Sequence, residues 1–277
     1  MENNLITIEE AFKLINIAIS TAKIKKLSTP YADIRPNMHS ILVGRVGSLK
    51  STILRIICDQ FKTDSQFGIT SATVLGTIDK QTNIPILPSI WECRNSILPI
   101  DEFNVDYFSK GSRSALGTLL SVLEYPKFEK KLGYRTNQEI NEKDGDLYLK
   151  IKNGSIKINT RFTLIGNTMM PLDKKQRLQE LEALKTRCLI IPYYPTMTEL
   201  RHMISGDNLY KFSKFNSQPI VSITQVIYEK LIELTIQAGI KEESFVRTVG
   251  DLCRAYSVVG FNEKIFEIIL KIKNRIN

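Results

Sequence analysis

The chain has 277 residues, of which 43% are hydrophobic and 24% are charged, and its 38 Lys and Arg against 29 Asp and Glu give a net charge of +9. This composition excludes a disordered protein, and no apolar run approaches the ~20 residues that a membrane span needs. The acidic, amphipathic start differs from a secretory signal, so we expect a cytoplasmic protein. The positive charge is compatible with an anionic partner but does not select one.

The cysteines and histidines predict neither a metal site nor covalent cross-links. The four cysteines form no C-x-x-C pair, and the chain has only two histidines. A structural zinc site and disulfide bonds are therefore not expected, and the cysteines are interpreted as free thiols in the core.

Hydrophobic periodicity predicts strands that alternate with helices, followed by a helical tail. This order predicts an α/β fold with a parallel sheet in residues 1–215, a hairpin insertion at about 125–158, and a helical lid in 216–277. The predicted elements are helices over 5–26, 50–61, 112–124, 221–238, 243–259 and 262–276, strands over 40–43, 95–104, 161–168 and 188–194, and hairpin arms over 125–136 and 146–159.

The stretch GRVGSLKST joins the first predicted strand to a helix. Such a junction offers free backbone N–H groups and the positive end of a helix dipole to a phosphate. Gly44 and Gly47 allow the tight path, Lys50 is placed to reach the terminal phosphates, and Ser51 to bind Mg²⁺. Leu49 stands where the common loop has its last glycine, and an ordinary strand-to-helix turn stays possible from this loop alone. The candidate nucleotide-binding residues are Gly44, Gly47, Ser48, Leu49, Lys50, Ser51 and Thr52.

A second apolar run, ILPIDEF, ends in two carboxylates. Asp101 and Glu102 would lie at the carboxyl end of a strand, where α/β sheets bind ligands. Asp101 would join Ser51 as a metal ligand, and Glu102 would orient or deprotonate the attacking water. Two acids in a solvated turn are the plainer interpretation, but the two motifs together favour an ATPase that uses ATP and Mg²⁺.

With these motifs placed, the chain resembles AAA+ ATPases, and most of all the motor domain of the minichromosome maintenance (MCM) helicases. The phosphate loop of that family, G-D-P-G-x-A-K-S, also lacks the last glycine. The present loop matches it at Gly44, Gly47, Lys50 and Ser51, and departs from it at Arg45, Val46 and Leu49. Five further segments resemble family motifs in the same order: GITSATV, IDEF, KNGSIKINTRFTLIGN, EALKTRCLI and VRTVGDLCR.

The resemblance implies roles for three more side chains. Asn167 falls at the sensor 1 position and would polarise the attacking water. Arg187 falls at the arginine-finger position and would reach the ATP of a neighbouring subunit, which implies a homo-oligomeric ring, expected to be hexameric. Arg247 falls at sensor 2 and would contact the γ-phosphate. Without the resemblance, these residues would be interpreted as a strand-end turn, a surface charge and a helix salt bridge, and we interpret Arg254 as structural.

The hairpin region carries the strongest indication of DNA. Residues 127–161 contain nine Lys or Arg and five acids. In the MCM family a lysine near the hairpin tip contacts DNA phosphates, and either Lys131 or Lys152 fits that position. A solvated charged hairpin is the plainer alternative.

The sequence therefore predicts an ATPase that acts on DNA as a helicase, translocase or replication factor, with accessory replication proteins as possible partners. Two alternatives stay open. One is a MoxR-like ATPase that remodels protein partners, because EALKTRCLIIPYYP fits that group almost as well. The other is a nucleotide-dependent binding module with little turnover.

Overall fold

The structure is a computed structural model that describes residues 6–64, 66–67, 74–102, 113–125, 127–132, 136, 138–168, 184–205 and 218–276. Its described helices are α1 (Ile8–Thr21), α2 (Lys50–Phe61), α3 (Ser89–Glu92), α4 (Arg113–Glu124), α5 (Met197–Ile204), α6 (Gln225–Gln237), α7 (Glu242–Val259) and α8 (Glu263–Ile276). Its strands are β1 (Lys26–Ser28), β2 (Asp33–Ile34), β3 (His39–Val43), β4 (Gln66–Phe67), β5 (Thr77–Ile78), β6 (Pro85–Ile86), β7 (Ile97–Asp101), β8 (Lys127–Lys131), β9 (Ile140–Asp144), β10 (Leu147–Lys152), β11 (Ser155–Asn159), β12 (Thr163–Thr168), β13 (Cys188–Pro192) and β14 (Ile220–Ser222).

A five-stranded sheet with the order β13-β3-β12-β7-β4 forms the centre of the molecule, and every neighbouring pair in it is parallel. Every residue of β3, β7, β12 and β13 is buried, as expected for strands covered on both faces. Leu42 packs into one hydrophobic cluster, whereas its neighbours Ile41 and Val43 pack into another. The predicted α/β class with a parallel sheet and flanking helices is confirmed.

Two predicted helices are longer than the observed ones, because residues at their ends belong to paired β-strands instead. Helix α1 begins with a capping box between Thr7 and Glu10 and ends at Thr21, well before residue 26. Strand β1 follows and pairs in parallel with β14. Val221 therefore lies in a strand, and α6 begins only at Gln225. This pairing joins segments far apart in sequence, so helical periodicity does not reveal it.

The three C-terminal helices share a hydrophobic cluster with α1 and one face of the central sheet. Within α7, Asp251 forms ion pairs with Arg254 at 2.8 Å and with Lys273 of α8 at 2.6 Å. Burial disfavours the charged carboxylate, but the two cations outweigh burial and lower the pKa of Asp251. Arg254 also donates to the backbone oxygen of Arg35, so it has the structural role expected of it. The predicted domain boundary at 215/216 lies outside the described residues.

The predicted hairpin region is an antiparallel sheet of four strands with the order β8-β11-β10-β9. The β10–β11 turn consists of Asn153 and Gly154, which both have positive φ, as a two-residue hairpin turn requires. Lys152 therefore flanks the tip of this hairpin. One face of this sheet, with the buried Leu149, packs against the rest of the protein. On this face the indole N–H of Trp91 donates to Glu142 at 2.6 Å. In the described part of the chain, no helix is long and apolar enough to cross a membrane.

Candidate nucleotide-binding site

Four parallel strands deliver polar groups to one edge of the central sheet. Because β3, β7, β12 and β13 run in the same direction, the residues that follow them meet at its carboxyl edge. Gly44 follows β3, Glu102 follows β7, Asn167 and Thr168 end β12, and Tyr193 follows β13. Ligands of α/β proteins bind at this edge.

Lys50 is held inside the loop that joins β3 to α2. Its ammonium donates to the backbone oxygen of Gly44 at 3.0 Å, to that of Arg45 at 2.6 Å, and to Oγ of Ser48 at 3.0 Å. The side chain is only 5% exposed, and burial lowers its pKa, although the charge of Asp101 opposes this effect. The loop thus holds a cation beside the first turn of α2, which also contains Thr52.

The two loop glycines are required for different reasons. A Cβ atom on Gly44 would lie 2.1 Å from the backbone oxygen of Tyr193, so a larger residue cannot fit without moving the chain after β13. Gly47 has open space around it but a φ of 73°, which a side chain would strain.

Leu49, at the position of the missing third glycine, has the backbone conformation that glycine usually adopts. It has a φ of 62°, in the left-handed region where glycine is preferred. A leucine there costs about 1 kcal/mol relative to the right-handed conformation. The loop therefore keeps the backbone path that glycine favours, at the cost of local strain. No side chain among the described residues caps α2, which leaves its first N–H groups available to a ligand.

We expect Leu49→Gly to change the free energy of unfolding by less than about 1 kcal/mol, because relief of strain offsets the entropy that glycine adds to the unfolded chain. Leu49→Val should destabilise by about 2 kcal/mol, because a β-branched residue fits positive φ poorly. Chemical denaturation measures both. Leu120→Val, at a half-buried position in α4, controls for the lost methylene group, and an equal cost at both positions would contradict the strain.

The acidic pair, Ser51 and Asn167 form one hydrogen-bonded cluster. Oδ1 of Asp101 accepts from Oγ of Ser51 at 2.9 Å, from Nδ2 of Asn167 at 2.7 Å, and from the Glu102 N–H at 3.0 Å. The same N–H donates to Oδ1 of Asn167 at 3.0 Å. Strand β12 lies between β3 and β7, which places the amide of Asn167 beside both acids. Glu102 has a positive φ of 51° and an exposed side chain.

The oxygens of Ser51 and Asp101 fit a magnesium ion. Mg²⁺ prefers oxygen ligands, usually takes one or two from protein side chains, and keeps water or phosphate oxygens for the rest. The described residues contain no group of three His, Cys, Asp or Glu that could hold a metal by themselves. Two protein oxygens match an ion whose remaining ligands are water or phosphate oxygens.

A cavity of 460 Å³ lies beside the phosphate loop. Tyr194, Pro195 and Met197 line it together with Val46 and Gly47, and both Met197 and Val46 are largely exposed. Its size and mixed lining suit a flat heteroaromatic group. Sequence reasoning missed Tyr194, Pro195 and Met197, although the YYP run at the end of the predicted strand 188–194 was a visible signal for the first two.

Arg187 and Arg247 lie together, but away from Lys50. Arg187 immediately precedes β13, whose first residue pairs with His39 and whose last residue pairs with Val43. Five strand residues span about 16 Å, so Arg187 lies at the amino edge, opposite the phosphate loop. There it lines a cavity of 280 Å³ with Arg247.

This second cavity is rich in arginine. Arg35 and Arg254 also line it, with Glu124 among the residues of opposite charge. The Nη2 atom of Arg35 is buried and has no hydrogen-bond partner among the described residues. Burial, together with the charge of Arg254, lowers the pKa of Arg35 to about 9. Arg187 is held by Glu124 at 2.7 Å and by the backbone oxygen of Leu120 at 3.0 Å.

The two lysines predicted to contact DNA lie near each other on the four-stranded sheet. Lys131 and Lys152 each pair across the strands with Ser155. Both side chains are exposed. The structure thus places them at the same end of one sheet face, on either side of one residue.

No model of a known protein family matches the chain, and no curated protein sequence matches it significantly. The fold and the site define a general class. The chain is an α/β protein with a parallel sheet and flanking helices, an architecture compatible with a P-loop fold.

Proposed function

We propose that the chain is an ATPase of the AAA+ type, similar to MCM motor domains, that binds ATP with Mg²⁺ and acts on DNA as a helicase, translocase or replication factor. The observation that carries the proposal is the cluster of Ser51, Asp101, Glu102 and Asn167 beside the Lys50 loop. A solvated turn would need no such convergence of three chain segments.

The phosphate loop supplies the binding energy for the triphosphate. The three oxygens that Lys50 contacts are uncharged, so phosphate oxygens would make stronger, charge-assisted bonds in their place. The uncapped N-terminus of α2 adds backbone donors and a favourable dipole. The cavity lined by Tyr194 and Met197 would receive the adenine.

The acidic cluster supplies the hydrolytic chemistry. Ser51 and Asp101 would hold Mg²⁺, which neutralises charge on the phosphate oxygens when it is bound. Glu102 would accept a proton from the attacking water. Asn167 holds the carboxylate of Asp101 and the backbone N–H of Glu102 through its amide, so we assign it as a positioning residue.

The separation of the arginines from Lys50 supports catalysis between subunits. Arg187 lies about 16 Å from the phosphate loop along the sheet, farther than its side chain extends. If it stabilises a transferring phosphate, that phosphate belongs to another copy of the chain. Arg247 lines the same cavity and is assigned to the same phosphate, in a homo-oligomeric ring expected to be a hexamer.

We expect the wild-type protein to hydrolyse ATP in a Mg²⁺-dependent and DNA-stimulated reaction, and Lys50→Ala to weaken ATP binding by about tenfold to a hundredfold. The reason is the loss of charge-assisted hydrogen bonds, worth about 1.5–3 kcal/mol. Calorimetry with Mg·ATP and a phosphate-release assay, with and without single-stranded DNA, measure both effects.

Lys23→Ala removes an exposed lysine and is the matched control, with no expected change in either assay. Absence of Mg·ATP binding by the wild-type protein at millimolar ligand would overturn the proposed function. Hydrolysis without any response to DNA would instead favour the MoxR-like alternative.

A further inference from the structure

The outer face of the four-stranded sheet is strongly basic. Strand register places alternate residues of β8, β11, β10 and β9 side by side on this face, opposite the buried Leu149, Ile151 and Ile156. The strands present one glutamate, Glu129, on this face, and Glu139, just before β9, adds a second beside Lys152. The face carries six lysines: Lys127, Lys131, Lys143, Lys150, Lys152 and Lys157.

Most of this charge is not neutralised by neighbouring acids. Lys157 pairs with Glu129 at 3.0 Å, and Lys152 pairs with Glu139 at 3.2 Å. The other four lysines have no carboxylate partner within the described residues. Lysines brought this close repel one another, so an arrangement of this kind is stabilised by an anionic ligand.

The face also has the shape and the aromatic group that a flexible anionic chain requires. A depression of 600 Å³ lies on it, lined by Glu139, Asn141, Lys150, Lys152 and Ser155. Tyr148 is half-buried on the same face, with the ammonium of Lys150 at 5.7 Å from its ring centroid.

Among nucleic acids, this surface favours a single strand. A duplex is read by an element that enters a groove, whereas a broad sheet face offers a platform on which unpaired bases can lie. Lysines contact phosphates as point charges without selecting a sequence, and a tyrosine ring stacks on any base.

We propose that the outer face of β8, β11, β10 and β9 binds single-stranded nucleic acid without sequence preference, through its lysines and a base stacked on Tyr148. This inference rests on the DNA-directed part of the proposed function and extends it from a hairpin-tip lysine to an entire sheet face. It does not require ATP binding, because the face and the phosphate loop are built from different residues.

The test is fluorescence anisotropy with a labelled oligothymidylate, without nucleotide, at several salt concentrations. The triple variant Lys131→Ala, Lys150→Ala, Lys152→Ala should bind at least about tenfold more weakly, and its slope of log affinity against log salt should fall by about 2. The matched triple variant Lys23→Ala, Lys264→Ala, Lys271→Ala removes the same charge from exposed positions elsewhere and should stay within about twofold of wild type.

Tyr148→Ala should weaken binding by about tenfold, whereas Tyr148→Phe, which keeps the ring, should bind like wild type. Circular dichroism checks that each variant is folded. Equal losses in the two triple variants, or tighter binding of duplex DNA or of polyglutamate than of the single strand, would overturn the proposal.

The Lys50→Ala variant separates this inference from the ATPase proposal. It should bind the oligonucleotide with wild-type affinity, and a loss of binding comparable to that of the face variant would contradict a separate surface. If the wild-type protein binds the oligonucleotide but not ATP, the ATPase proposal is contradicted and the nucleic-acid proposal is not.

Discussion

Replacing Arg187 with alanine is expected to lower the rate of ATP hydrolysis by about a thousandfold or more, with ATP affinity within about twofold of wild type. An arginine finger acts on the charge that develops on the transferring phosphate, and its contribution in such enzymes is about 10³–10⁵ in turnover. The phosphate loop that binds the ground state is at the other edge of the sheet and keeps all its contacts. Steady-state hydrolysis and calorimetry measure the two quantities.

The control for this variant is dictated by the contacts of Arg187. In the isolated chain the guanidinium pairs with Glu124 and donates to the backbone oxygen of Leu120. Glu124→Gln removes the ion pair but leaves the arginine, so it reports the structural part of the effect. We expect it to retain most of the hydrolytic activity, with thermal unfolding close to that of Arg187→Ala.

Mixing two inactive variants tests whether the arginine acts between subunits. Arg187→Ala keeps its own acidic cluster, and Glu102→Gln keeps its arginine, so neighbours in a mixed ring would form some complete sites. We expect the mixture to recover a measurable part of the wild-type rate at concentrations that permit subunit exchange. A mixture that stays as inactive as its components, or an isolated Arg187→Ala protein with normal turnover, would contradict the intersubunit role.

The parts of the site that were predictable from sequence are those encoded within one short segment. Helix α2 has the predicted bounds of 50–61, because its apolar face and the preceding glycine loop are local signals. Asp101 and Glu102 were assigned to a strand end for the same reason. The end of β7 becomes part of a site because β12 lies between β3 and β7 and places Asn167 beside Asp101. This arrangement follows from the strand order and not from the spacing of residues along the sequence.

The parts that sequence could not give depend on contacts across long separations. Arg35 joins Arg187 and Arg247 in one cavity, although these residues come from three distant segments. Lys131 and Lys152 were competing candidates for one tip position, whereas strand register makes them neighbours on one face. This neighbourhood depends on β11, whose Ser155 pairs with both lysines, and the order β8-β11-β10 does not follow from the spacing of the predicted hairpin arms.

Replacing Glu102 with glutamine is expected to lower the rate of hydrolysis by a factor of about 10²–10⁴ and to leave Mg·ATP binding intact. A positioned general base contributes about that factor, and glutamine cannot accept the proton from water. The substitution is otherwise mild, because the contacts of Glu102 within the cluster are made by its backbone N–H and its side chain is exposed. Single-turnover phosphate release and calorimetry, performed on the same preparation, measure the two effects.

Two comparison variants make this result specific. Glu263→Gln removes an exposed carboxylate from α8 and should change neither quantity. Asp101→Asn should weaken Mg·ATP binding itself, because Asp101 accepts the hydrogen bonds of Ser51 and Asn167 and would hold the ion. The two substitutions would then differ in effect: Asp101→Asn would weaken Mg·ATP binding, and Glu102→Gln would lower turnover. Hydrolysis at the wild-type rate by Glu102→Gln would show that water is activated by another group, and the assignment of Glu102 as the base would be wrong.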